Sequence, residues 1–66
     1  MEKKNLEKAM ENKRITYDTL ATLIGVTKKT LYNKIHGKSE FYLKEAMAIR
    51  DNVFPEYTLN YLFCDA

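Results

Sequence analysis

Between Thr16 and His36 the chain twice sets a threonine ahead of a short apolar stripe, with one glycine between the two stripes, and few folds accept that arrangement. Thr16 precedes Tyr17-Asp18-Thr19, so a hydroxyl can accept from the free amides of a first helical turn, and an acidic residue meets the positive end of the helix dipole. Leu20, Ala21, Leu23 and Ile24 follow as a buried stripe at helical spacing. Gly25 is the residue able to take the positive φ that ends a helix. Val26 is apolar, Thr27 caps again, and Leu31 and Ile35 recur one turn apart within residues 28–36. Two helices this close in sequence must meet at a corner. A small residue at Ala21 lets them approach, Gly25 turns the chain, and Val26, Leu31 and Ile35 anchor the second helix from below.

The flanks extend the helical pattern. Leu6, Ala9 and Met10, with Ile15 beyond them, predict a first helix over 4–12, and the like charges of Glu7 and Glu11 leave packing to hold it. Gly37 stops the second helix of the corner, and the loop Lys38-Ser39-Glu40 leads to a helix over 43–52 with Leu43, Ala46, Met47 and Ile49 on one buried side and Phe41 packing just ahead. Pro55 bars continuation, in a connection where Val53 and Phe54 still face the core. For residues 57–63, Thr58 as a cap with Leu59, Leu62 and Phe63 suits a short helix, while the aromatic and β-branched content suits a strand; the helix is preferred. The expectation is an all-α, compact four- to five-helix bundle in one domain over 1–66.

At 66 residues there is room for one core only, and 45% hydrophobic with 30% charged residues is a globular balance, not a disordered one. No apolar run approaches the roughly 20 residues of a membrane span, and the charged start lacks a signal-peptide core, so a cytoplasmic protein is expected. Cys64, the single cysteine, has no thiol to pair with and reads as a reduced thiol at the end of a core strip. Met10 and Met47 read as core filler. His36 is the only histidine, so a histidine-based metal site lacks a second imidazole; beside Gly37 it suits a helix C-terminus contact. With no convergent polar set from which to build a pocket, the inventory points away from an enzyme and from any metal or cofactor.

The net charge of +2 is uninformative, but its distribution is not. Acidic residues stop at Asp18 and resume at Glu40, and the interval holds Lys28, Lys29, Lys34, Lys38 and His36. This is a local cationic footprint on the helical corner.

The stretch from Leu20 to Lys38, LATLIGVTKKTLYNKIHGK, resembles the helix-turn-helix of phage Cro and repressor proteins and related bacterial regulators, the lambda-repressor-like fold. More weakly, the resemblance covers most of the chain, since that family also has a first helix before the motif and further helices after it. The sequence departs at Tyr17, where many members carry a glutamine that contacts the backbone and neighbouring side chains.

The resemblance implies that the second helix of the motif enters the major groove of operator DNA while the helix before it crosses the backbone. With Leu31 and Ile35 facing inward, Lys28, Lys29, Tyr32 and Asn33 lie on the outward arc and become the base readers. Lys donates to guanine, Asn pairs with adenine, and a Tyr ring touches a thymine methyl. Thr16, Tyr17, Thr27, Thr30, Lys34, Lys38 and Ser39, at helix ends or on the rim, suit phosphate oxygens. The expected role is a phage or prophage transcriptional regulator of Cro or repressor type, acting as a homodimer on double-stranded operator DNA in the nucleoid of a bacterial host cell. The rival is an antirepressor or modulator that keeps the fold but binds a partner repressor protein, for which the aromatic tail of Tyr57, Tyr61, Leu62 and Phe63 offers a surface. Salt separates the two, because phosphate binding weakens steeply as salt rises and an apolar contact does not.

Overall fold

The computed structural model of the protein describes residues 3–64. Five helices and no strand are formed among the described residues: α1 (Lys4–Lys13), α2 (Tyr17–Ile24), α3 (Lys28–Ile35), α4 (Leu43–Val53) and α5 (Leu59–Phe63). Each boundary has a local cause. The hydroxyls of Thr16, Thr27 and Thr58 accept the backbone N–H three residues on, capping α2, α3 and α5. The last of these settles residues 57–63 as ending in a helix. At the start of α4 the cap runs in the other direction, with the Glu45 carboxylate accepting the Tyr42 N–H at 3.0 Å.

The first three helices end on one device. Gly25 sits at φ 75°, the Val26 N–H reaches back to the Ala21 carbonyl at 3.0 Å, and the Gly25 N–H reaches Thr22. Gly37, at φ 85°, lets the Lys38 N–H reach the Asn33 carbonyl at 2.8 Å. At the end of α1 the same left-handed position is held by Arg14, at φ 57°, and the Ile15 N–H bonds the Met10 carbonyl at 2.9 Å. A side chain in this region costs about 1–2 kcal/mol relative to glycine.

The helices enclose one core in which Leu6, Leu20, Leu31, Ile35, Ile49 and Phe54 are fully buried, with Ala9, Met10, Ala21 and Leu62 beside them. α1 packs on α5 and α3, α2 on α3 and α4, and α4 on α5. Aromatic edges close the C-terminal side: Phe41 meets Phe63 edge-on at 5.0 Å, and Phe54 meets Tyr57 at 5.9 Å. Lys13 fastens the end of α1 to the end of α4. Its ammonium donates to the Val53 carbonyl at 2.8 Å and pairs with Glu56 at 2.8 Å, and the hydrogen bond from Lys13 holds the Glu56 carboxyl below its ordinary value.

Several expected core positions turn outward. Leu43, 69% exposed, and Met47 are not on the buried side of α4, which is formed by Ala46 and Ile49 with Glu45. Leu23 likewise lies outside the buried stripe of α2, where Leu20 and Ala21 make the contact. In each helix the apolar residues span an arc wider than the neighbouring helices can cover. Cys64 is an exposed thiol just past α5, not part of a core strip. In the tail, Leu62 is buried and Phe63 packs against the core, whereas Tyr61 is partly exposed and stacks on Tyr57 at 5.1 Å.

Two stability predictions follow from this packing. Phe54→Ala should cost about 3–5 kcal/mol, while Leu43→Ala and Met47→Ala should each stay within about 0.5 kcal/mol, read as midpoint shifts in urea unfolding at constant slope. A Cβ at Gly25 would meet nothing within 4 Å, so Gly25→Ala should carry only the backbone penalty, about 1–2 kcal/mol in the same assay.

Candidate nucleic-acid interface

α2 and α3 pack against each other across the Ala21–Gly25–Val26 corner, and each begins at a capping threonine. Thr16 Oγ1 accepts the Thr19 N–H at 3.2 Å, and Thr27 Oγ1 accepts the Thr30 N–H at 3.1 Å and donates to the Thr30 hydroxyl at 3.0 Å. These caps leave the first amides of each helix without an intrahelical acceptor and aimed along the positive end of the dipole. The two helix starts are joined by an ion pair in which the Lys28 ammonium lies 4.0 Å from Asp18, a contact worth little because both groups are largely solvated.

α3 presents two distinct faces. Leu31 and Ile35 have no exposed surface, and they anchor the helix to the core. Lys28, Lys29 and Tyr32 are exposed and Asn33 is half-buried, in contrast to the inaccessible anchors. Lys38 and Ser39, both exposed, follow Gly37, and both of their N–H groups turn back onto the Asn33 carbonyl. Thr16 and Thr27 are exposed, Thr30 half-buried.

Lys34 is a correction to the cationic footprint. It is only 6% exposed, its ammonium lies 3.1 Å from Glu45 Oε1, and it donates to the Glu40 carbonyl at 3.0 Å. The Tyr42 ring covers it, with the ammonium 4.5 Å from the ring centroid. The charge that reads as surface in the sequence is engaged inside the protein, tying α3 to α4.

Tyr17, where the family's glutamine is missing, still bridges neighbours. Its hydroxyl donates to Glu7 Oε2 at 3.4 Å and stands 3.4 Å from His36 Nε2, and its ring lies 6.2 Å from that of Tyr32. His36 caps α3, as its place beside Gly37 suggested, and its ring also packs on Tyr32 with centroids 4.1 Å apart. Arg14, not among the expected contacts, is exposed and lines a groove with Thr16 and Tyr17 at the start of α2. A cation two residues ahead of a capping threonine is the sequence signal that marks it.

A capped helix, a glycine corner and a second helix with an anchored inner face and a polar outer face define a helix-turn-helix domain. A family model described as the Cro/C1-type HTH DNA-binding domain matches residues 5–51, from the first turn of α1 into α4. The chain therefore belongs to the Cro/C1-type helix-turn-helix DNA-binding family. No curated protein and no solved structure matches it. No helix among the described residues is long and apolar enough to cross a membrane.

The two exposures of lysine give a test. Lys34→Met should destabilise the fold by about 3 kcal/mol or more, because it strands a buried carboxylate, and should leave the salt slope of DNA binding unchanged. Lys38→Ala should do the reverse, sparing stability and lowering that slope by about one. Urea unfolding and binding titrations across salt measure both.

Proposed function

We propose that the protein is a sequence-specific transcriptional regulator of the phage or prophage Cro or repressor type, which acts by occupying operator DNA. The observation that carries this reading is the division of α3 into a fully buried Leu31/Ile35 face and an outward face of Lys28, Lys29, Tyr32 and Asn33, set beside two capped helix starts. In this reading α3 lies in the major groove. Asn33 makes a bidentate pair with adenine, the lysines donate to guanine, and Tyr32 offers its ring to a thymine methyl. Thr16, Thr27, Thr30, Lys38 and Ser39 position the domain on phosphates, Tyr17 contributes through its backbone N–H in the first turn of α2, and Arg14 joins them there. Lys34 has no part in this set, since it is engaged with Glu45. A domain of this size buries limited surface on DNA, so two copies on half-sites about one helical turn apart supply the affinity. The protein then works in the cytoplasm of a bacterial cell, on the nucleoid.

A second reading, a modulator that binds a partner repressor protein, is favoured by one feature: Tyr42, Leu43 and Met47 expose apolar surface at the start of α4. Selection from random duplexes at two salt concentrations separates the readings. The regulator enriches a motif with affinity that falls steeply with salt, whereas absence of enrichment at both concentrations favours the modulator. Within the first reading, Asn33→Ala should cost about 1–3 kcal/mol and relax preference at one base pair. Equal losses on every sequence would remove Asn33 from the readers.

A further inference from the structure

Tyr32 is 48% exposed, so its ring stands at the surface of α3. His36 lies one turn further on, on the same side of the chain, and its ring packs on that of Tyr32 with centroids 4.1 Å apart and planes tilted by 33°. The His36 ring is in turn gripped from behind: its Nε2 stands 3.4 Å from the Tyr17 hydroxyl and 3.9 Å from Glu7 Oε2. One assignment of protons satisfies these contacts together, with the His36 Nε2–H donating to the Tyr17 oxygen and the Tyr17 O–H donating to Glu7. The Tyr17 ring also lies near Tyr32, with centroids 6.2 Å apart.

We propose that His36 is a positioning residue for DNA reading: it fixes the orientation of the Tyr32 ring on the free protein, and Glu7 of α1 and Tyr17 of α2 fix His36. The His36 side chain is about one-quarter exposed, so it acts through Tyr32. The inference rests on the reading of Tyr32 as a base contact. Histidine suits the task because it combines a flat face for the stack with a ring-edge nitrogen for the hydroxyl behind it. Phenylalanine keeps the first property only, and glutamine the second only. A ring held in place beforehand loses less freedom on binding, so the effect falls on discrimination at the one base pair that Tyr32 meets.

The test uses the full chain with tyrosine rings labelled for NMR, and thermal melting alongside to establish that each variant is folded. The Tyr32 ring protons should carry a ring-current displacement that His36→Ala and His36→Gln abolish and His36→Phe retains. In selection from random duplexes, Tyr32→Ala identifies the base pair concerned. His36→Ala should lower discrimination there by about 2- to 10-fold, the worth of one aromatic contact, and should add nothing in a Tyr32→Ala background. His36→Phe should restore most of the loss. A Tyr32 displacement unchanged in folded His36→Ala overturns the proposal, as does a loss of affinity equal on all sequences. If Tyr32→Ala leaves every base preference intact, the reading of Tyr32 falls and the proposal with it; the ring displacement then tells that failure apart from a failure of the stack.

Discussion

The turn at Gly25 is the constraint on which the rest depends. A left-handed residue there allows the Val26 N–H to reach the Ala21 carbonyl, and this one backbone bond fixes how α3 leaves α2. The direction of α3 decides that Leu31 and Ile35 enter the core together, and hence that the opposite face is left exposed. The same hydrogen-bonded turn closes α1 at Arg14 and α3 at Gly37. Three changes of chain direction in so short a protein are thus made by backbone geometry.

Features that depend on near neighbours in sequence are legible there. The caps at Thr16, Thr27 and Thr58, the glycine stops, and the inward phase of Leu31 and Ile35 each involve residues within a turn or two of one another. Features decided between helices are not. The apolar positions of α4 fit more than one buried arc, and which one is used is set by where α2 and α5 lie against it; Ala46 and Ile49 take the contact, and Leu43 and Met47 turn out. Lys34 looks like its neighbours Lys28, Lys29 and Lys38 until α4 brings Glu45 and Tyr42 over it. Tyr17 could be flagged as a departure from the family, but its partners Glu7 and His36 belong to other helices.

The face of α3 is therefore supported by several kinds of contact. Apolar burial fixes its depth, a buried ion pair ties its last turn to α4, and a polar and aromatic cluster ties its end to α1 and α2. The buried pair contributes little net stability once desolvation is counted, but breaking it is costly, which favours one arrangement of α3 against α4 over loosely packed alternatives. A surface held in this way changes little when it meets its target.

One further contact joins the beginning of the fold to that helix: the Lys3 N–H donates to the Ile35 carbonyl at 2.8 Å, a short bond that takes up one of the last carbonyls of α3. Lys3 thus lies alongside the end of α3. A purification tag or a fused domain joined ahead of α1 would be attached within a few residues of the end of α3, and on the reading of α3 as the helix that meets DNA it would crowd the duplex there or, if basic, lend it an extra electrostatic grip. The same reporter joined after α5 departs from a helix that packs on α1 and α4 and has no direct part in that face.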